Sequence, residues 1–199
     1  IVHASAQVAA QGSNSRSEIR TFPLPGGGIL HVEPRRSVPV VAARAAFVGG
    51  LLADEAATMA FGARLAQALQ PGMTLYLEGN LGAGKTTLVR GVLRALGYTG
   101  RVKSPTYTLA ETYSLPAFEL YHYDLYRMRD PREWLDAGFR DADDGWAVSL
   151  IEWPEKAAGW LPPPDMVIRL RIDDDSHEAE CEARSPRGTQ YLETCCTLC

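Results

Sequence analysis

Gly79-Asn80-Leu81-Gly82-Ala83-Gly84-Lys85-Thr86 fits the pattern G-x-x-x-x-G-K-[ST], a phosphate-binding loop. Its flanks fit as well. Thr74-Leu75-Tyr76-Leu77 before it is apolar and β-prone, and Thr87 to Leu96 after it has helical spacing. Strand, glycine loop and helix together separate a working phosphate loop from a chance match. A triphosphate is densely anionic and needs donors at close range. Gly79, Gly82 and Gly84 let the backbone curl with its N–H groups pointing inward. The helix start adds free N–H groups and a positive dipole end. Lys85 supplies a mobile charge for the β- and γ-phosphates, and the Thr86 hydroxyl suits Mg²⁺. The alternative is a glycine-rich turn between a strand and a helix. The base-reading N-K-x-D of GTPases does not occur, which favours ATP over GTP.

The rest of the chain is organised around this unit. The expected fold is α/β, a three-layer P-loop NTPase fold with a mixed, mainly parallel central sheet and a β-hairpin element. Residues 1–46 are rich in Ala, Ser, Gly, Pro and Arg, and we expect a poorly ordered N-terminal extension. An Arg- and Ser-rich targeting peptide is the competing reading, but prolines interrupt any amphipathic pattern. The ATPase domain is expected over 47–185, with 186–199 as a frayed tail. Within the domain, Asp54 is placed to cap a helix to about Leu69. Gly97 is placed to close the helix after the loop. Tyr107–Tyr113 and Phe118–Tyr123 alternate as a hairpin. Asp130-Pro131 opens a short helix, and Gly138–Gly145 reads as an acidic loop. Ala147–Ile151 is an apolar central strand, followed by a short helix through Ala157 and Trp160. Met166–Ile172 forms a last strand, with Glu178–Arg184 as an edge strand.

Composition narrows the function class. The chain has 199 residues with ordinary hydrophobic (46%) and charged (22%) fractions, which suits one globular α/β domain. A net charge of -4 argues against broad, non-specific nucleic-acid binding. No apolar run approaches membrane-spanning length, so no membrane segment is expected. Cys181, Cys195, Cys196 and Cys199 do not form a secreted disulfide framework. A metal site at Cys195-Cys196-x-x-Cys199 lacks a second ligand pair. Reduced thiols in a cytoplasmic protein are the preferred reading.

Hydrolysis needs more than a phosphate loop, namely an acid near the magnesium and something to orient water. Glu152 ends the apolar central strand, as a Walker-B-like acid would. Asp124 ends another strand. Both stand where ligands gather in open α/β sheets. The alternative for each is a solvated acid at a strand exit. Ser104-Pro105-Thr106 reads either as a turn into a strand or as a switch loop whose Thr106 hydroxyl senses the γ-phosphate. His122 reads as a packed or exposed strand residue rather than a catalyst. The rings from Tyr121 to Tyr126 suggest base stacking, although some of them must be core.

Four motifs in order resemble the bacterial TsaE family. They are Gly79–Thr87, Lys103-Ser104-Pro105-Thr106-Tyr107, His122-Tyr123-Asp124-Leu125-Tyr126-Arg127 and Ile151-Glu152-Trp153-Pro154, within a similarity from about 50 to about 172. The resemblance implies an ATPase required for N6-threonylcarbamoyladenosine at position 37 of tRNA. It implies work with the TsaD–TsaB heterodimer, which carries the transfer chemistry, and with TsaC, which makes the threonylcarbamoyl-adenylate. Contact with tRNA would be indirect. ATP binding and hydrolysis would reset the complex between turnovers. The resemblance further implies that Gly79, Asn80, Leu81, Gly82, Ala83, Gly84, Lys85, Thr86 and Thr87 bind nucleotide. Trp153 would lie near the nucleotide. Thr86 and Glu152 would serve Mg²⁺, Thr106 would belong to the switch-like loop, and Asp124 would support hydrolysis. The family often carries an acid where this chain has Asn80. Two other readings stand beside it: a P-loop small-molecule kinase, for which Arg127, Arg129 and Arg132 form no clear lid, and an ATP-gated binding module.

Overall fold

A computed structural model describes residues 20–24, 28–35, 40–48, 53–139, 145–173 and 176–197. The described residues form β1 (Arg20–Leu24), β2 (Gly28–Arg35), β3 (Val40–Val48), α1 (Ala53–Ala66), β4 (Thr74–Glu78), α2 (Lys85–Ala95), β5 (Ala110–Ser114), β6 (Glu119–Asp124), α3 (Glu133–Asp136), β7 (Val148–Glu152), β8 (Met166–Asp173), β9 (Ser176–Ala183) and α4 (Pro186–Thr197). One mixed sheet runs β1-β2-β3-β9-β8-β4-β7-β6-β5. Its core is parallel: β8, β4, β7 and β6 point the same way. Both flanks are antiparallel, with the β5–β6 hairpin on one side and the run β8–β9–β3–β2–β1 on the other.

Alternation along the parallel strands makes three layers. On one face Leu75, Leu77, Leu120, Leu150 and Ile168 pack beneath α1, α2 and α4. On the other, Tyr123 and Ile151 pack with Trp134 of α3 and Ala157 of a short 3₁₀ turn, Pro154–Ala157. β7 is buried along its whole length, as a strand covered on both faces must be. In α2, Leu88, Val89, Val92 and Leu93 are almost wholly buried, each contributing about 1.5–3 kcal/mol. α2 ends as its glycine predicts. Gly97 takes φ 87°, Tyr98 N–H donates to Leu93 O and Gly97 N–H to Arg94 O, which is a Schellman closure.

α1 and α2 cross in backbone contact. A Cβ on Gly91 would lie 2.3 Å from Met59 O, and one on Gly62 would lie 2.4 Å from Leu88 O. Only hydrogen fits at either position.

Several boundaries differ from expectation. The backbone of 20–24, 28–35 and 40–46 is strand rather than unstructured extension, and the 46/47 boundary falls inside β3. Residues 1–19 and the glycines at 26 and 27 lie outside the described residues. β9 is not an edge strand, because β3 pairs along it from Ala42↔Glu182 to Val48↔Ser176. The tail is helix α4. Gly188 N–H donates to Ser185 Oγ at 2.9 Å, an N-cap followed by proline at the first helical position. Tyr191 is buried and its hydroxyl donates to Leu65 O at 2.7 Å, tying α4 to α1. Asp54 stands inside α1 rather than ahead of it. The first hairpin strand begins at Ala110, because Tyr107–Leu109 is a turn in which Leu109 takes φ 63°. Part of the acidic loop, 140–144, and Cys199 lie outside the described residues.

Candidate functional site

The parallel strands deliver their carboxyl ends to one edge of the sheet. Glu152 closes β7 opposite Leu77 of β4, and Asp124 closes β6 opposite Glu152. The loop from Gly79 to Gly84 leaves β4 at this edge and enters α2. Gly79 (φ 142°), Gly82 (φ 82°) and Gly84 (φ 92°) all take positive φ. At Gly79 crowding adds to this, since a Cβ there would lie 2.4 Å from Leu170 O of β8. Leu88 N–H donates to Gly84 O at 2.8 Å and starts the helix.

Period-two geometry fixes which side chains meet the loop. Leu120, His122 and Asp124 share the α2 face of β6, as Val148, Leu150 and Glu152 do on β7. Glu152 is 3% exposed, and its Oε1 takes two contacts: Thr86 Oγ1 donates to it at 2.8 Å, and His122 Nε2 lies 2.8 Å away. Asp124 is equally buried. Its Oδ2 accepts from the Ser104 and Thr106 hydroxyls and its Oδ1 from Tyr126 N–H at 3.0 Å. The Ser104-Pro105-Thr106 segment is therefore bonded to the end of β6 through Asp124.

Lys85 Nζ donates to Gly79 O at 2.6 Å and Asn80 O at 2.9 Å, and lies 3.9 Å from the centroid of the Trp153 ring. Burial lowers the Lys85 pKa from its ordinary value, opposed by the charges of Glu152, Asp124 and Glu155. Trp153 follows Glu152 in a left-handed conformation (φ 59°), and its ring meets that of Tyr126 at a tilt, with centroids 5.0 Å apart. Across the mouth, Arg127 lies 4.2 Å above the Tyr107 ring and donates to its hydroxyl at 3.0 Å.

These groups line a cleft of about 480 Å³. Of the residues singled out from sequence, Leu81, Gly82, Ala83, Gly84, Lys85, Thr86, Thr87, Thr106, Asp124, Glu152 and Trp153 stand on its wall. Gly79 and Asn80 instead line a neighbouring cavity beside Arg169 and Arg171, and reach the cleft through the carbonyls that hold Lys85. From sequence His122 reads as a packed or exposed strand residue; it is packed, wholly buried, and its contact with Glu152 is what that reading lacked. The available signal was its position two residues before Asp124 on a strand. Tyr107 and Arg127 also line the cleft, a placement that the strand and lid readings of these residues did not give them.

Thr86 and Glu152 are the oxygen donors at hand for magnesium. Among the described residues no cluster of three His, Cys, Asp or Glu could hold a metal alone. Mg²⁺ does not require one. It is a hard ion, commonly held by one or two protein oxygens together with substrate phosphates and water. A hydroxyl and a carboxylate in contact at the head of a phosphate loop fit that habit.

A family model described as threonylcarbamoyl adenosine biosynthesis protein TsaE matches residues 52–182. The chain is 42% identical over 144 residues to the tRNA threonylcarbamoyladenosine biosynthesis protein TsaE of Haemophilus influenzae, covering 70% of this chain and 91% of that one. It is 42% identical over 110 residues to the protein of the same description from Bacillus subtilis, covering 55% and 68%. The crystal structure of Bacillus subtilis YdiB superposes with a TM-score of 0.66 at 31% identity, covering 80% of this chain and 97% of that one.

Proposed function

The chain belongs to the TsaE family, and from that premise we propose that it is a Mg²⁺-dependent ATPase serving N6-threonylcarbamoyladenosine formation on tRNA. It works in the cytoplasm with the TsaD–TsaB heterodimer and meets tRNA through that complex. The observation that carries the reading is the 2.8 Å contact between Thr86 and Glu152 at the head of the glycine loop. It joins a phosphate-binding element to a buried acid, which a glycine turn alone does not have.

Each residue has a task in this reading. The N–H groups of Gly82 to Thr87 face the β-phosphate from the loop and the first turn of α2. Lys85, now held on loop carbonyls, brings its ammonium to the phosphates. Thr86 and Glu152 would hold the magnesium ion, which would neutralise charge on the phosphates. Asp124 anchors the Thr106 hydroxyl at the cleft wall, where it positions water or senses the γ-phosphate. Trp153 shields the Lys85 side of the cleft. Catalysis of this kind is positioning plus electrostatics.

The test is phosphate release by the full chain, alone and with TsaD–TsaB, alongside equilibrium ATP binding. Turnover is expected to be slow alone and faster with the partners. Lys85→Ala is expected to abolish binding, and Glu152→Ala to spare binding more than turnover. Normal turnover by both variants would overturn the assignment. Transfer of the phosphoryl group to an added small molecule, rather than to water, would replace it with the kinase reading.

A further inference from the structure

His122 is the wholly buried titratable group that the proposed mechanism leaves without a task. It sits inside β6, opposite Leu150 of β7, on the face that carries Asp124 and Glu152. Its Nε2 lies 2.8 Å from Glu152 Oε1, the same oxygen that accepts from Thr86. Its Nδ1 has no hydrogen-bond partner. These facts assign the proton. A carboxylate oxygen can only accept, so Nε2 carries the hydrogen and donates.

From this we infer that His122 is a positioning residue for Glu152. Its Nε2–H fixes Oε1 from beneath while the Thr86 hydroxyl fixes it from the loop. Among the described residues nothing donates to Oε2, which is left for the cleft. The arrangement is an outer contact that orients a cation-holding oxygen, and partners of this kind commonly matter about 10–100-fold to metal affinity. The inference rests on the proposed Mg²⁺-nucleotide reading and deepens it. A histidine present only to fill space would be replaced by leucine without consequence for magnesium.

The experiment measures ADP affinity of the full chain across a Mg²⁺ series, with chelator as reference, for wild type, His122→Leu and His122→Gln. Wild type is expected to bind ADP more tightly as Mg²⁺ rises. His122→Leu should need about 10–100-fold more Mg²⁺ for the same gain. His122→Gln keeps an N–H donor and should recover most of the loss. Nitrogen-15 spectra of the imidazoles, assigned by loss of a signal in His122→Gln, should show a proton on Nε2 of His122. A leucine variant with the wild-type Mg²⁺ response, or an Nε2 that carries no proton, would overturn the inference. If His122→Leu does not fold, the spectrum and the glutamine variant decide. A wild type that shows no Mg²⁺ response in ADP binding would instead remove the underlying nucleotide reading.

Discussion

Replacing Gly79 with alanine tests whether the loop geometry is set by backbone crowding or merely by flexible sequence. Gly79 has φ 142° and its missing Cβ would lie 2.4 Å from Leu170 O. That oxygen belongs to the backbone of β8, paired into the sheet beside β4, and cannot rotate away as a side chain would. Holding a non-glycine residue at such a dihedral costs about 1–3 kcal/mol. Forcing a methyl group into a filled space costs about 1–3 kcal/mol more. The sum, about 2–6 kcal/mol, is a large share of a domain stability of about 5–15 kcal/mol. Gly82 is the internal control. It also has positive φ (82°), but a Cβ there would meet nothing within 4 Å, so only the left-handed penalty of about 1–2 kcal/mol applies. With a denaturant slope of about 2 kcal/mol per molar urea, Gly79→Ala should lower the unfolding midpoint by about 1–3 M and Gly82→Ala by about 0.5–1 M. Tryptophan fluorescence in a urea series reads both. A Gly79→Ala midpoint equal to wild type, or a larger loss in Gly82→Ala, would refute the reasoning.

Truncation after Ser185 should destabilise the protein by about 3–6 kcal/mol, because Tyr191 and Leu192 lose their burial; thermal unfolding of the shortened chain measures it, and an unchanged midpoint would return 186–199 to the status of a tail. Gly91→Ala gains about 1 kcal/mol of helix propensity but overlaps the Met59 backbone at a cost of about 1–3 kcal/mol, so a net loss of up to about 2 kcal/mol, and no gain, is expected by chemical denaturation. Burial raises the pKa of Tyr76 and of Tyr113 to about 12 from an ordinary 10.0. Folding therefore favours the protonated phenols, and their contribution is present below about pH 10 and lost as pH rises toward 12. Stability followed across that range should fall, and Tyr76→Phe, which also removes the bond to Pro162 O, should flatten the fall.

What could be read from sequence was whatever is local. The glycine loop announces itself because its neighbours in sequence are its neighbours in space. Glu152 was legible because four apolar residues lead into it. His122 was not, since its meaning depends on β6 lying beside β7 in a particular register, and no short stretch contains both strands. β3 hid for two reasons. Ala42, Ala43, Ala45 and Ala46 have poor strand propensity, and its partner β9 is distant in sequence. α4 was different, because its start was written in Ser185-Pro186 and its buried face in Tyr191, Leu192 and Cys195. Three clustered cysteines drew attention to the end of the segment instead of its spacing.

Helices that meet through interleaved side chains can slide by trading rotamers. Where α1 crosses α2, main chain rests on main chain at Gly62 and Gly91, and no such bearing exists. The crossing therefore fixes the seat of α1 on α2, the helix that begins at Lys85 directly after the glycine loop. A side chain introduced at Gly62 or Gly91 would push directly on the neighbouring backbone, and so on the helix that carries Lys85 and Thr86.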